Sequence, residues 1–324
     1  MRFGAFVPQG WRLDLMGIAE SDHWASMAGV AKQIETLGYE SGWVFDHFHT
    51  VPAPTQEPTY EAWTLMAALA GVTSSLRLGQ MCTCNGYRPP AYLAKVASSL
   101  DVLSGGRVEM GIGAGWYEHE FEAYGYGFPT AGVRLGQLKE AVEIMKAMWS
   151  EDEVWYEGEH YQVKGAINQP KPAQEGGIPL WIAGGGEKKT LRIAAEHADY
   201  TNFGGDPAGF AHKRDVLRAH CEDVGRDPSE ITLSNLSHIL IAETEAGVQK
   251  KVDWVLEKYK EYSPDDTEEK LRAQIGCGTP DQVVEQFKEL EEVGMGYLIA
   301  YFPEVAYDSS GLELFATEVM PAFA

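Results

Sequence analysis

An apolar run that ends on Asp46 and His47 places two side chains capable of proton chemistry at an element boundary. The stretch reads Ser41-Gly42-Trp43-Val44-Phe45-Asp46-His47-Phe48-His49. Imidazole exchanges a proton near neutral pH more readily than any other side chain. His47 could therefore protonate a substrate or stabilise a developing negative charge. The bland alternative is structural, with Asp46 capping the next loop and His47 satisfying a backbone carbonyl. His49 reads as a loop residue.

Three further segments carry residues that a packed core does not need. The first is Gln80-Met81-Cys82-Thr83-Cys84-Asn85-Gly86-Tyr87-Arg88-Pro89-Pro90. Its small side chains would let the backbone approach a flat ring, Tyr87 offers a stacking face, and Arg88 supplies a fixed charge for a phosphate or an acidic substrate. An ordinary turn into a proline-started helix, with Arg88 solvated, explains the prolines but not the small polar run. The second segment, Gly111-Ile112-Gly113-Ala114-Gly115-Trp116-Tyr117, is glycine-rich, yet it lacks the helix and distant acid of a dinucleotide fingerprint. Trp116, Tyr117, Phe121, Tyr124, Tyr126 and Phe128 follow, and either line a pocket or pack on one another. The third is Ala183-Gly184-Gly185-Gly186-Glu187-Lys188-Lys189. Glycines before a helix leave amides free for an anion, and the two lysines would strengthen that site. The alternative there is a solvated charged turn.

These segments follow short β-branched or aromatic runs that alternate with amphipathic ones. The pattern predicts strands at 2–8, 41–46, 76–84, 107–113, 178–183, 199–203, 231–242 and 296–302. Helical periodicity covers 23–38, 59–73, 90–103, 133–149, 187–197, 207–223, 246–262 and 280–293. Thr279-Pro280-Asp281 is a helix start, and Gly38 and Gly294 are helix stops. Eight strands and eight helices predict one α/β domain, a (β/α)8 TIM barrel, rather than an open doubly wound sheet. Insertions fall near 150–177 and 260–276. Parallel barrels carry their chemistry in the loops after the strands, which is where all four segments lie.

The formal net charge of -22 argues against a nucleic-acid partner, although a local basic patch could still hold an anionic tail. Four cysteines in a chain this long do not make a secreted disulfide framework. Cys82 and Cys84, two apart on one predicted strand, would share a face as small packing residues rather than as zinc ligands. No leader and no membrane-length apolar run is evident, so a cytoplasmic protein with a small-molecule substrate is expected.

With these loops placed, nearly the whole chain resembles the luciferase-like flavin- and deazaflavin-dependent oxidoreductases, specifically the coenzyme F420 branch. The resemblance rests on Gly42-Trp43-Val44-Phe45-Asp46-His47, Arg77-Leu78-Gly79, Leu103-Ser104-Gly105-Gly106-Arg107 and Gly111-Ile112-Gly113-Ala114-Gly115-Trp116. Glu120-Phe121-Ala123-Tyr124-Gly125, Ile178-Pro179-Leu180-Trp181-Ile182-Ala183-Gly184-Gly185 and Gly278-Thr279-Pro280-Asp281 continue it. It implies a parallel barrel with insertions and a cofactor in the barrel mouth, its tail toward Gly184–Gly186. His47 matches the family's histidine beside the ring and is the expected catalytic residue, with Asp46 its neighbouring acid. The cofactor would touch Asp46, His47, Met81, Cys82, Asn85, Gly113, Ala114, Gly115, Ala183, Gly184, Gly185, Gly186 and Lys188. The substrate would meet Trp116, Tyr117, Tyr87 and Arg88. The family often has a non-proline cis peptide in the third-strand bulge, here Met81–Cys82. Its sugar-phosphate dehydrogenases carry an acidic glutamate where this chain has Trp116, which disfavours glucose 6-phosphate and favours a flatter or more apolar substrate. Family members are often dimers. The leading expectation is F420-dependent hydride transfer, against an FMN-dependent monooxygenase or a non-catalytic deazaflavin-binding protein. No metal site is expected.

Overall fold

In the computed structural model, which covers residues 1–324, eight parallel strands close on themselves. They are β1 (Arg2–Phe6), β2 (Ser41–Val44), β3 (Arg77–Gln80), β4 (Val108–Gly113), β5 (Leu180–Ala183), β6 (Tyr200–Asn202), β7 (Thr232–His238) and β8 (Met295–Tyr301). The ring closes where β1 pairs with β8, Arg2 opposite Tyr297, and where β3 meets β4 at Leu78 and Val108. The chain is thus a TIM barrel, as the strand pattern predicts.

Alternation along the strands sorts the side chains into two layers. Phe6, Trp43, Phe45, Trp181, Tyr297, Ile299 and Tyr301 form an aromatic cluster. Their neighbours in sequence Ala5, Val7, Val44, Ile182, Leu298 and Ala300 instead join the larger cluster packed under the helices. Fully buried Trp43 fits because a Cβ on Gly79 would lie 2.5 Å from its ring. That glycine is required by the tryptophan.

All eight predicted helices form, and the two expected glycine stops, Gly38 and Gly294, have φ values of 84° and 104°. The outer ring differs from the expectation in one respect. Helix Glu245–Tyr259 does not cover the barrel; it joins Leu240–Ile241, Leu271 and Cys277–Gly278 in a separate excursion with its own small apolar cluster. The segment 310–323 after β8, unassigned from sequence, fills the vacated place with buried Leu312, Phe315, Val319 and Phe323.

Three other boundaries move. The predicted strand 231–242 breaks at Ile239, so that Leu240–Ile241 pairs with Cys277–Gly278 outside the barrel. The insertion at 150–177 contains an antiparallel hairpin, Val154–Glu157 with Gln162–Ala166. The predicted strand 76–84 is interrupted: from Gly79 to Thr83 the chain advances four residues while its partner, Glu109 to Ile112, advances three. The extra residue makes a bulge, and the Met81–Cys82 peptide within it is cis, as the resemblance implies.

Candidate functional site

The loop leaving β2 is stapled before it reaches the candidate acid and base. Gln9 holds both the amide and the carbonyl of Phe45, each at 2.8 Å. His47 then lies with its ring stacked on Trp11, centroids 4.2 Å apart and planes 3° from parallel. Its Nδ1 is 2.7 Å from Oε2 of Glu120. Nε2 makes no hydrogen bond within the protein, and Trp116 and Tyr117 meet the ring edge-on.

Glu120, absent from the expected site residues, organises this corner. It is fully buried and accepts from the Tyr87 hydroxyl at 2.6 Å and from the amides of Phe48 and His49 at 2.7 Å. Burial penalises its negative charge, but the bonds from His47, Tyr87 and His49 outweigh this and hold the carboxyl below its ordinary range. A carboxylate at Nδ1 orients the imidazole and leaves Nε2 free. Glu120 sits in the first turn of the short helix Glu118–Ala123, which escaped the periodicity reading. Its acidic first turn was the available signal.

Asp46 faces away from His47. Oδ2 accepts from the Cys84 amide at 2.8 Å and from Arg88 Nη1 at 2.7 Å, while Oδ1 takes Arg88 Nη2 at 2.9 Å. Arg88 also reaches Glu61 at 2.6 Å. Desolvation works against the guanidinium charge, but Asp46 and Glu61 more than compensate and raise its pKa. These partners correct two expectations. Arg88 is neither solvated nor free for a substrate anion, and Asp46 braces the β3 bulge. Tyr87 is corrected as well: it is buried between Phe48 and Phe121 with its hydroxyl on Glu120, so it offers no open stacking face.

The glycine-rich loop after β4 is dictated by packing. A Cβ on Gly113 would lie 2.7 Å from Cys82 Sγ, and one on Gly115 would lie 2.6 Å from Cys84 Sγ. Half-buried Ala114 packs on the outer core. The two cysteines do not share a face, because the bulge sends Cys82 to the aromatic interior and Cys84 to the Tyr87–Phe121 cluster. Burial, with Asp46 behind it, pushes the Cys82 thiol up to about 12, so it stays protonated. Met81 is buried in the aromatic cluster. Asn85 donates to the Tyr161 hydroxyl at 3.3 Å, while its buried Oδ1 has no partner.

After β5, half-buried Ala183 packs against the aromatic cluster, and Gly184 gives its amide to Asn202 at 2.8 Å. The amides of Gly185, Gly186, Glu187 and Lys188 donate to nothing in the protein. The helix begins at Thr190 rather than at 187, and Lys188 is exposed and unpaired. Lys213 Nζ, which the sequence reading did not single out, holds the Gly185 carbonyl at 2.8 Å. Free amides and a free cation make this loop fit for an anionic group.

Between the strand ends and the excursion lies a cavity of about 510 Å³. Trp116 and Tyr117 line one part of it, and Arg12, His238, Tyr259 and Tyr301 another. The expected aromatic lining therefore divides: Trp116 and Tyr117 face the cavity, while Phe121, Tyr124 and Tyr126 pack around Phe48 and Tyr87. Trp11 and Arg12, in the loop after β1, were not singled out from sequence.

This architecture has counterparts. The structure of an F420-dependent secondary alcohol dehydrogenase with an F420-acetone adduct superposes with a TM-score of 0.82 at 22% identity, covering 100% of this chain and 99% of that one. Monooxygenase RslO1 from Streptomyces bottropensis gives 0.83 at 19% identity, with both chains covered in full. In sequence, the pyrimidine monooxygenase RutA of Acinetobacter baylyi is 27% identical over 262 residues, 78% of this chain and 69% of its own. The F420-dependent glucose-6-phosphate dehydrogenase of Kineococcus radiotolerans is 33% identical over 180 residues, 55% of this chain and 52% of its own. Residues 1–296, which take in the first seven strands and the start of the eighth, match the luciferase-like monooxygenase family, and the chain belongs to it.

Proposed function

We propose that this enzyme is a coenzyme F420-dependent oxidoreductase acting on a small organic substrate. The observation that carries the reading is His47, held by Glu120 and Trp11 with Nε2 left without a protein partner beside the cavity. Hydride exchange with a carbonyl or alcohol needs one proton delivered or removed at oxygen, and a fixed imidazole does that. The residues of the mouth fit the group. Asn85 has an orphan buried acceptor, and the Gly185–Lys188 amides are open to a phosphate-bearing tail.

When bound, a deazaflavin exchanges a hydride at C5 with the substrate. The protein's part is positional. The bulge at Met81–Cys82 and the Gly113–Gly115 loop shape one wall, Asp46 and Arg88 brace it from behind, and Trp116 and Tyr117 line the mouth. His47 Nε2 gives a proton to the substrate oxygen as it gains charge, or takes it in the reverse direction, with Glu120 stabilising the imidazolium.

An FMN-dependent monooxygenase is the second reading, favoured by the match to a pyrimidine monooxygenase over 78% of this chain. Parallel fluorescence titrations with F420, FMN and FAD, followed by oxygen-consumption assays, separate the two. The proposal expects tight F420 binding and no oxygen uptake. Saturable FMN binding with substrate-dependent oxygen uptake would replace it.

A further inference from the structure

Arg12 is a cation with no carboxylate in contact; Asp14 acts on it only from a distance. Arg12 forms no ion pair and no hydrogen bond, and its Nε is buried with no acceptor. Its guanidinium rests over the rings of Trp11, Tyr301 and Phe45, at 4.8, 5.4 and 5.7 Å from their centroids. Cation–π contact accounts for its position but leaves its donors unsatisfied. Asp14, two residues on, is not within ion-pair distance; it takes the Gly10 amide at 2.6 Å, and burial raises its pKa.

Around the same cavity two more donors are stranded. The hydroxyls of Tyr259 and Tyr301 are both buried without a partner. His238, 5.0 Å from the Tyr301 ring, is driven down to about 3 by burial and then by Arg12, so it stays neutral. The one carboxylate lining the cavity, Asp266, is exposed on the excursion. Buried donors without acceptors cost stability, and so many around one space mark where a ligand supplies the acceptors. The other part of the lining is flat and apolar. Trp116 and Tyr117 stack at 5.1 Å, beside Val51, Pro52 and Leu271.

We propose that the substrate of this site is an organic carboxylate on a flat ring, its carboxylate bound by Arg12 with Tyr301 and Tyr259 and its ring against Trp116 and Tyr117. A planar guanidinium matches a carboxylate in two parallel hydrogen bonds, whereas a phosphate at the same place would meet only this one cation. Arg12 takes the role that Arg88, tied to Asp46 and Glu61, cannot fill. Trp11 touches both His47 and Arg12, so the anchored substrate lies beside the working imidazole. The proposal deepens the reading of the barrel mouth as a substrate site and rests on it.

Benzoate and its neutral counterpart benzamide are the probes, titrated by calorimetry into the protein alone and into protein loaded with F420 or FMN. The wild type should bind benzoate at millimolar concentrations or below and benzamide at least about tenfold more weakly. Arg12→Gln should weaken benzoate at least about tenfold while leaving benzamide and cofactor affinity unchanged. Tyr301→Phe, a milder change, should weaken benzoate a few-fold and serves if Arg12→Gln does not fold. Equal affinity for the two probes, no benzoate binding, or benzoate affinity unchanged in either variant overturns the proposal. Loss of cofactor rather than benzoate in Arg12→Gln does so too, by assigning Arg12 to the cofactor. Failure of every cofactor to bind, with benzoate still recognised through Arg12, would strike the redox reading and leave this one standing.

Discussion

His47 is oriented by a partner 73 residues away. That separation explains what sequence could and could not say at this scale. The imidazole was legible because it stands at a strand end, where barrels keep their reactive groups. Glu120 was not, because nothing local in Glu118-His119-Glu120 marks one carboxylate as buried against a distant ring. Replacing His47 with Asn should lower kcat by ~10²–10⁴ and leave cofactor affinity little changed, as read by steady-state kinetics beside fluorescence titration. Glu120→Gln keeps the size and loses the charge. It should reduce kcat by roughly tenfold or more, because the anchor that orients the imidazole loses its charge. Unchanged kcat at unchanged cofactor affinity would remove Glu120 from proton transfer and leave it a purely structural brace.

The elements meet at two electrostatic joints, and both were invisible in one dimension. Arg88 ties the β3 bulge to the β2 loop through Asp46, so that Arg88→Met should strand a buried carboxylate. A loss of about 3–5 kcal/mol in urea unfolding is expected, against little change for a surface arginine such as Arg218. Helix Glu20–Thr36 is fastened to the loop before β3 by Glu35, whose Oε1 accepts from the amides of Ser74, Ser75 and Leu76 at 2.6–3.0 Å. Desolvation pushes that carboxyl up, yet the donors prevail and bring it from 4.5 to about 2. A depressed carboxyl stabilises the fold fully above its ordinary value and loses that effect as pH falls toward about 2. Glu35→Gln should therefore melt below the wild type at pH 7, with the gap narrowing steadily below pH ~4.5. A constant gap across that window would show the joint to be steric. The strands themselves were readable because their alternation is strong. The bulge was not, since 76–84 is continuous in hydropathy. The close approach of the neighbouring strand there is one that only glycine permits, since a Cβ on Gly111 would sit 2.1 Å from the Gln80 carbonyl.

At the scale of the whole molecule, the excursion between β7 and β8 has a structural consequence. By taking helix Glu245–Tyr259 away to wall the cavity with Tyr259 and Leu271, it leaves the outer ring one helix short. The last residues of the sequence make good the deficit. Phe315 packs edge-on against Phe3, Phe287 and Phe302, Phe323 meets Phe3 at 5.8 Å, and the Tyr39 hydroxyl donates to the Leu312 carbonyl at 2.9 Å. The amino terminus donates to the Phe323 carbonyl at 2.9 Å, so β1 and the C-terminal segment hold each other. Leu312, Phe315, Val319 and Phe323 are all buried, and each contributes about 1.5–3 kcal/mol. Together they approach the ~5–15 kcal/mol by which a folded domain exceeds its unfolded chain. A chain ending at Asp308 should consequently show no cooperative thermal transition, whereas Phe315→Ala alone should cost about 3–5 kcal/mol and keep the transition two-state. A truncated protein melting within a few degrees of the full chain would mean that the seven helices before it close the barrel unaided.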